Sequence, residues 1–305
     1  MFNFVRCSLK WLSMIIIILL AGIGNLEERS YQPTYSSKKP QSITEYIVGI
    51  HPLHNPQRLI AVYAPILDTI NSQIPEVQFK LEASRDYGEF EAKLYAGHFA
   101  FAMPNPYQTI QSLKHGYRVF GKMGDDEVFR GIILVRKDSG IDKVTDLKGK
   151  TVSYPAATAL AATMMPQYYL HTHGIDVNHD IENRYVGSQE SSIMSVLRGH
   201  VAAGATWPVP WKAFCTEHPD MAAQLVVKWE TQSLPNNGWV VREDIPAPIV
   251  EKFAQLLFSL HENPSGKTLL AQLPISKFEP ATAETYRPVH DFLEKFSKTV
   301  RKIEY

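Results

Sequence analysis

From residue 43 onward, short apolar runs alternate with longer amphipathic stretches. The run ITEYIVGIH (43–51) predicts a strand, because it is short, rich in β-branched residues and ends before a proline. Asn55-Pro56 then predicts a helix start, with asparagine as the cap and proline in the first turn. The apolar positions of that helix recur at helical spacing and fall on one face: Leu59, Val62, Ile66, Leu67 and Ile70.

The same periodicities predict the remaining elements. Further strands are predicted at 78–84, 99–103, 129–139, 151–155, 182–188, 201–207, 226–232 and 239–244. Helices are predicted at 86–97, from 104 to about 116, and at 158–174, 191–199, 246–260, 265–273 and 282–300. This alternation indicates an α/β protein with parallel sheets covered on both faces. Ligands of such sheets bind beyond the carboxyl ends of the strands, near helix N-termini.

The N-terminus has the pattern of an export signal. Arg6 and Lys10 precede an apolar run at 11–24, which is shorter than a typical membrane span. Residues 1–24 are therefore predicted to be a secretory signal peptide, with an uncleaved membrane anchor as the alternative. Residues 25–42, rich in Ser, Lys, Gln and Pro, are predicted to be a flexible leader. Both alternatives place the folded part outside the cytoplasm, in the periplasm.

Composition and motifs narrow the function. Lys+Arg and Asp+Glu both total 31, so the chain lacks the basic excess that is typical of nucleic-acid binding. The nucleophile-elbow, P-loop, zincin and dinucleotide-binding motifs do not occur, so an enzyme is not expected and no cofactor is called for. Outside the signal, Cys215 is the one remaining cysteine, and it is interpreted as a small buried apolar residue.

Five segments, in order, resemble one family. They are YAPILDTI (63–70), DYGEFEAKLYAGHFAFAMPNPYQ (86–108), RGIILVRKDSGIDKVTDLKGKTVSY (130–154), PQYYLHTHGID (166–176) and VGSQESSIMSVLRGHVAAGA (186–205). The family is that of the substrate-binding components of phosphate, phosphite and phosphonate ABC importers. The similarity covers roughly residues 45–260.

The resemblance implies a type II periplasmic binding protein fold, with two α/β lobes joined by a two-segment hinge. Lobe 1 would comprise residues 43–127 and 234–305, lobe 2 would comprise 128–233, and the hinge would lie near 125–130 and 230–238. The implied function is capture of a small molecule between the lobes for an ABC permease, by a protein expected to be a monomer. The alternative is a periplasmic sensor module that reports to a membrane histidine kinase. An enzyme of thiamine-precursor chemistry on this fold is a third hypothesis, for which no motif is found.

The family's anion site is altered in this sequence. In the family, a Ser-Thr-Ser run opens the helix after the strand that corresponds to 151–155, and it holds the phosphonate oxygens. The matching positions are Ala159, Leu160 and Ala161, with Thr158 one residue earlier. The family His is matched by Gln189, and the family Asp by Ala202. Because a buried anion needs several donors, a neutral or mixed ligand is expected instead of phosphonate, phosphite or phosphate. A carboxylate is an alternative, since the helix N-terminal N–H groups remain.

The residues expected to bind the ligand lie at the predicted strand ends. They are His51, His54, Asn105, Tyr107, Tyr154, Thr158, Ala159, Ser188, Gln189, Trp207 and Trp211. The set is aromatic and neutral, as for a ligand with an apolar face fixed by a few hydrogen bonds. A cation enclosed by Tyr107, Trp207 and Trp211 is an alternative.

Several of these residues also have structural interpretations. Trp207 and Trp211 could be packed by a rigid loop around the two prolines of TWPVPW. His51 and His54 have a spacing that a metal could use, but no third ligand is in view, so capping or solvated roles are expected.

Overall fold

A computed structural model describes residues 43–273 and 275–303 of the 305-residue chain. The predicted signal (1–24) and leader (25–42) lie outside the described residues. Within those residues, none of the helices combines the length and apolar character needed to cross a membrane.

The strands and helices that the sequence predicts occur in the predicted order, and two further strands (117–123 and 278–280) and two further helices (208–217 and 219–222) are not predicted. The strands are β1 (Thr44–Ile50), β2 (Val77–Ala83), β3 (Phe101–Met103), β4 (Tyr117–Met123), β5 (Arg130–Arg136), β6 (Thr151–Tyr154), β7 (Glu182–Tyr185), β8 (Ala203–Thr206), β9 (Leu225–Ser233), β10 (Gly238–Arg242) and β11 (Phe278–Pro280). The helices are α1 (Pro56–Asn71), α2 (Tyr87–Tyr95), α3 (Pro106–Ser112), α4 (Met165–Thr172), α5 (Gln189–Leu197), α6 (Pro208–Glu217), α7 (Pro219–Ala222), α8 (Ala247–Phe258), α9 (Pro264–Ala271) and α10 (Arg287–Thr299).

These strands form two sheets, each of which organises one lobe. In lobe 1 the order is β11-β4-β10-β3-β1-β2, and in lobe 2 it is β7-β6-β8-β5-β9. β1 is parallel to β2 and β3, and β6 is parallel to β7 and β8. β10 is antiparallel to β3 and β4, while β5 is antiparallel to β8 and β9. The α/β class and the type II binding-protein architecture are confirmed, but the sheets are mixed, so the expectation of purely parallel sheets is wrong.

The chain passes from one sheet to the other twice, and the two crossings are bonded together. The first crossing joins β4 to β5, and the second joins β9 to β10. The Leu234 amide donates to Phe129 O at 3.1 Å, and Asn236 Nδ2 donates to Gly124 O at 2.9 Å. The crossings therefore form the two-segment hinge of the fold. The residue bounds assigned to each lobe from the sequence stay a prediction.

The core of lobe 1 lies between its sheet and the helices α1 and α8. The predicted apolar face of α1 is buried, from Leu59 to Ile70. The Phe101 ring stacks on Phe253 of α8 with centroids 4.6 Å apart, and Phe79 contacts Phe253 edge-on at 4.9 Å. Burial of these aromatic rings fixes the sheet against its helices, and with it the positions of the strand ends.

Candidate functional site

In lobe 1, three neighbouring strands deliver polar residues to one edge of the sheet. His51 follows β1, Asn105 follows β3, and Asn237 precedes the antiparallel β10. Because β10 runs opposite to β3, its first residue lies at the carboxyl end of the parallel strands. The Gly238 amide donates to Pro104 O at 3.2 Å, and the His51 amide donates to Met103 O at 3.1 Å. These residues therefore share one wall.

In lobe 2, the facing wall is a turn of backbone between β6 and α4. Leu160–Met164 form a π-helical turn in which the amides of Thr163 and Met164 both donate to Ala159 O. Gly131 of β5 lies directly beneath this turn. A Cβ at Gly131 would come within 2.5 Å of Ala161 O, so only glycine permits the close approach of these backbones.

The two walls enclose a small cavity between the lobes, with an empty volume of about 200 Å³ including its mouth. Its lining is His51, Tyr87, Asn105, Phe129, Ala159, Leu160, Ala161, Ala162, Gln189, Trp207 and Asn237. Trp207 and Phe129 form an aromatic side, with ring centroids 5.5 Å apart. Among the residues that the structure describes, this lining contains no Lys, Arg, Asp or Glu. It is aromatic, aliphatic and neutral polar.

Side chains of the lining connect the lobes directly. Gln189 Nε2 donates to Tyr87 Oη at 3.1 Å, and Gln189 Oε1 accepts from the Thr206 hydroxyl at 2.8 Å. Asn105 caps α3 by accepting from two backbone amides, and its Nδ2 donates across the cleft to Thr158 O at 3.1 Å. Residues that sequence analysis assigned to ligand binding thus also hold the lobes together.

His51 is neutral and fixed in one tautomer. Burial lowers its pKa to about 4, while a hydrogen bond to Met103 O opposes that shift. Nδ1 lies 2.9 Å from Met103 O, and a carbonyl oxygen can only accept, so Nδ1 carries the proton. Nε2 therefore bears a lone pair and acts as an acceptor. The prediction of a capping or solvated role for His51 is wrong, because its side chain is buried beneath the cleft.

The side-chain oxygen of Asn237 is buried and has no hydrogen-bond partner among the described residues. The whole side chain is fully buried, and Nδ2 donates to Met123 Sδ at 3.3 Å. Thioether sulfur only accepts, so this contact fixes the amide with Oδ1 on its other side. A buried oxygen without a partner is costly, which makes it a candidate ligand contact.

The structure brings together five of the residues that sequence analysis assigned to the site. They are His51, Asn105, Ala159, Gln189 and Trp207. Thr158 meets the cleft through its carbonyl, and its side chain bonds to Glu91. Burial raises the pKa of the Glu91 carboxyl, against the opposing effect of hydrogen bonds from Thr158 and Gln108.

The other assigned residues lie outside the cavity lining. Tyr107 is buried in the first turn of α3, and Tyr154 packs beside Tyr185 at 6.0 Å. Trp211 stacks on Phe214 at 5.9 Å, in a cluster on the far side of the lobe 2 sheet, which agrees with its packing interpretation. Ser188 caps α5 by accepting from the Ser191 amide.

His54 lies in a second crevice at the junction of the lobes, and it too is buried instead of solvated. Arg58 and Glu217 form an ion pair across this crevice, and Asn55 Nδ2 lies 3.4 Å from Glu190 Oε2. At the opposite side of the cleft, the Arg301 guanidinium donates to Ala157 O and to Gln167 Oε1. Polar contacts between the lobes therefore flank the cavity on both sides.

Tyr87 and Asn237 line the cavity but are not among the binding residues that the sequence predicts. Tyr87 stands directly after the Asp86 cap of α2, at a helix N-terminus that faces the cleft. Asn237 lies within the second predicted hinge segment, and a polar residue at a hinge crossing is the signal that could have identified it.

The comparisons with known proteins agree with this geometry. The model of the family described as ABC transporter, phosphonate, periplasmic substrate-binding protein matches residues 48–286. Among solved structures, the binding-protein component of an ABC phosphonate transporter from Pseudomonas aeruginosa is similar at a TM-score of 0.76 and 19% identity, covering 84% of this chain and 87% of that one. PhnD1 from Prochlorococcus marinus, in complex with methylphosphonate, gives a TM-score of 0.77 and 18% identity over 85% and 99% of the two chains.

A curated relative has a different role. The tetrathionate sensor histidine kinase TtrS of Salmonella typhimurium is 25% identical over 201 residues, which is 63% of this chain. The present chain spans about a third of the length of that relative, 32% of it. The family match covers most of the described residues, and the fold is similar to that of the matched structures. The chain therefore belongs to the family of phosphonate periplasmic substrate-binding proteins of ABC transporters.

Proposed function

We propose that this protein captures a small solute in the cavity between its lobes and presents it to an ABC permease at the membrane. The observation that carries this proposal is the cavity itself, where strand ends and a helix start from both lobes converge beside the hinge. A ligand that contacts both walls favours the arrangement in which the lobes touch, since that arrangement alone offers both sets of contacts.

Binding without turnover fits the same residues. The family is one of binding proteins, and the lining offers a neutral imidazole, amides, a phenol and aliphatic groups. His51 carries a proton only on the nitrogen that faces Met103 O, and its low pKa keeps it neutral near pH 7. We expect the ligand to leave the cavity chemically unchanged. Export to the periplasm and a monomeric state belong to the same proposal.

The ligand is proposed to differ from a doubly charged phosphonate. The positions that carry hydroxyls in the family contribute Ala159, Leu160 and Ala161 to the cavity wall. Helix N-terminal amides are the anion-binding feature that the turn keeps. The neutral lining supports a ligand of lower charge.

A thermal-shift screen of residues 25–305 tests capture in the cavity. The screen includes methylphosphonate, tetrathionate, amino acids, amines and small aromatic solutes. A specific ligand raises the Tm, because it binds the folded chain and not the unfolded one. Trp207→Ala should abolish the shift, since Trp207 lines the cavity. Trp211→Ala is the matched control and should keep it, because Trp211 packs on Phe214 elsewhere. A ligand that still binds Trp207→Ala but not Trp211→Ala would contradict the assignment.

A sensor module is the second candidate, and the similarity to TtrS favours it. In this case the lobes would report occupancy to a membrane histidine kinase. Val300 follows α10 and accepts a hydrogen bond from Asn178 Nδ2 of lobe 2 at 2.7 Å, a contact that movement of lobe 2 would alter. A histidine kinase gene beside the gene for this chain supports sensing, whereas a permease and ATPase pair supports transport. Tetrathionate binding in the screen would also favour sensing.

A further inference from the structure

The polar atoms around the cavity include two side-chain acceptors on the lobe 1 wall and several donors, most of them on lobe 2. On the lobe 1 wall, Asn237 Oδ1 is buried and has no partner within the described residues. His51 Nε2 on the same wall bears a lone pair, because Nδ1 holds the proton that is shared with Met103 O. Both atoms can only accept a hydrogen bond.

Donors come from lobe 2 and from Tyr87, a lobe 1 residue that bonds to Gln189 of lobe 2. Tyr87 Oη accepts from Gln189 Nε2, which leaves the phenolic proton available to donate. Gln189 Nε2 has a second N–H beyond the one that it gives to Tyr87. The first amides of the turn at Leu160–Met164 belong to a helix start, where N–H groups have no acceptor within the helix.

We propose that the cavity selects a compact solute that carries an oxygen acceptor and an O–H or N–H donor on the same centre, with the donor bound by Asn237 Oδ1. A second N–H, where the ligand has one, would bond to His51 Nε2. This inference rests on the proposed function and specifies its ligand class. A singly protonated phosphonate and a primary carboxamide share this chemistry. Sulfonates, carboxylates and fully ionised phosphonates lack the donor.

The size of the cavity supports a compact ligand. The empty volume of about 200 Å³ includes the open mouth of the cavity, so only a compact ligand fits between the walls. Trp207 and Phe129 close one side, so an apolar substituent of the ligand would lie against their rings. The Glu91 carboxylate, beside the cleft and bonded to Thr158 and Gln108, further disfavours a doubly charged anion.

Two pairs of probes test whether a hydrogen-bond donor on the ligand increases its affinity. Methylphosphonate at a pH where it is singly ionised and methanesulfonate have the same shape and charge, and they differ by one P–OH proton. Acetamide and acetate form the second pair. Calorimetry on the wild-type chain is expected to show the donor-bearing member of at least one pair binding about tenfold or more tightly than its partner. The pair that shows the preference identifies the source of the donor.

A substitution at the acceptor links the preference to this site. Asn237→Leu keeps the approximate shape of the side chain and removes Oδ1. The variant should therefore bind the donor-bearing and donor-free probes of a pair with nearly equal affinity. Asn71→Leu is the matched control, since Asn71 bonds to Phe79 backbone atoms within lobe 1. The ratio between two probes on one variant is insensitive to partial loss of folded protein. If Asn237→Leu does not fold, the wild-type ratio alone decides.

Each outcome is decisive. Equal or tighter binding of the donor-free probes overturns the inference, as does an unchanged preference in Asn237→Leu. Failure of all four probes to bind also overturns it, because the cavity would then select something other than this compact class. In that case the solute screen, with Trp207→Ala and Trp211→Ala, still tests the proposed function independently.

Discussion

Gln189 Nε2 lies 3.1 Å from Tyr87 Oη, and this hydrogen bond joins the two lobes beside the cavity. Gln189 begins α5 in lobe 2, and Tyr87 begins α2 in lobe 1. Both side chains are buried, and Thr206 holds the far end of Gln189 by donating to its Oε1. The position matched to a family histidine thus contributes to contact between the lobes as well as to the lining.

Tyr87→Phe should therefore weaken the association of the lobes. The change removes a buried hydrogen bond worth about 1 kcal/mol and leaves the ring packing in place. Small-angle scattering of the ligand-free protein should show a larger radius of gyration than the wild type. Tyr117→Phe is the control, because the Tyr117 hydroxyl donates to Phe99 O within lobe 1. An identical change in both variants would contradict a specific role for Tyr87 in lobe contact.

Much of the framework of the site is predictable from local pattern. The run before His51 reads as a strand, and Asn55 and Asn105 precede prolines at helix starts, where their side chains cap α1 and α3. These features depend on neighbours within a few residues, and a single sequence contains that information. The position of His51 at a strand end followed directly from them.

The missed elements depend on distant partners. β4 (YRVFGKM) contains charged residues, and Lys122 is buried there only because Asp126 and Glu279 pair with it. α6 contains two prolines within its first turn, which the sequence analysis interpreted as a rigid loop. Asn237 enters the site through antiparallel pairing of β10 with strands more than 100 residues earlier. The local pattern of apolar and polar residues does not predict pairing between such distant segments.

The ion pair between Arg58 and Glu217 should support ligand affinity through lobe contact. It joins α1 to α6 across the cleft, and both side chains are partly exposed, at 26% and 47%. Such a pair is worth about 0–1 kcal/mol in water. Arg58→Glu and Glu217→Arg should each weaken binding several-fold, because less of the protein occupies the competent arrangement.

The double variant Arg58→Glu/Glu217→Arg provides the check on that prediction. The double variant should recover part of the ligand affinity that each single variant loses. This recovery should be smaller at higher salt concentration, since partly exposed charges are screened. Titration of one ligand into all four proteins at two salt concentrations measures the coupling. Additive losses without recovery would show that the ion pair does not contribute to binding.

Acid should destabilise the protein through its two buried histidines. Burial lowers the pKa of His51 to about 4 and that of His54 to about 3, from an ordinary value of 6.5. As pH falls below about 6.5, the unfolded chain takes up protons that the folded chain does not bind until near pH 4 or below. The free energy of unfolding should fall by up to about 1.4 kcal/mol per pH unit for each histidine.

Urea unfolding at several pH values between about 6.5 and 5 measures this slope, because most carboxyl groups stay ionised there. His54→Gln removes one of the two titrating groups and should reduce the slope by about half. His54 lies outside the cavity lining, so this variant leaves the ligand contacts intact. A slope that does not change in His54→Gln would mean that His54 has the same pKa in the folded and the unfolded chain.

Adding hydroxyls to the turn before α4 should create anion affinity. Ala159 and Ala161 line the cavity and are nearly fully buried, at 3% and 4% exposure. Ala159→Ser/Ala161→Ser would give the wall two donors close to the helix N-terminus. Affinity for methanesulfonate should rise by up to about tenfold for each hydroxyl that bonds to it. The new donors can bond to oxygens of either anion, so the affinity for singly ionised methylphosphonate should rise as well. Ala157→Ser, outside the cavity lining, should leave both affinities unchanged.

If the double variant gains no affinity for either anion, ligand oxygens do not reach this turn. The absence of hydroxyls there would then not explain why the protein binds a neutral ligand.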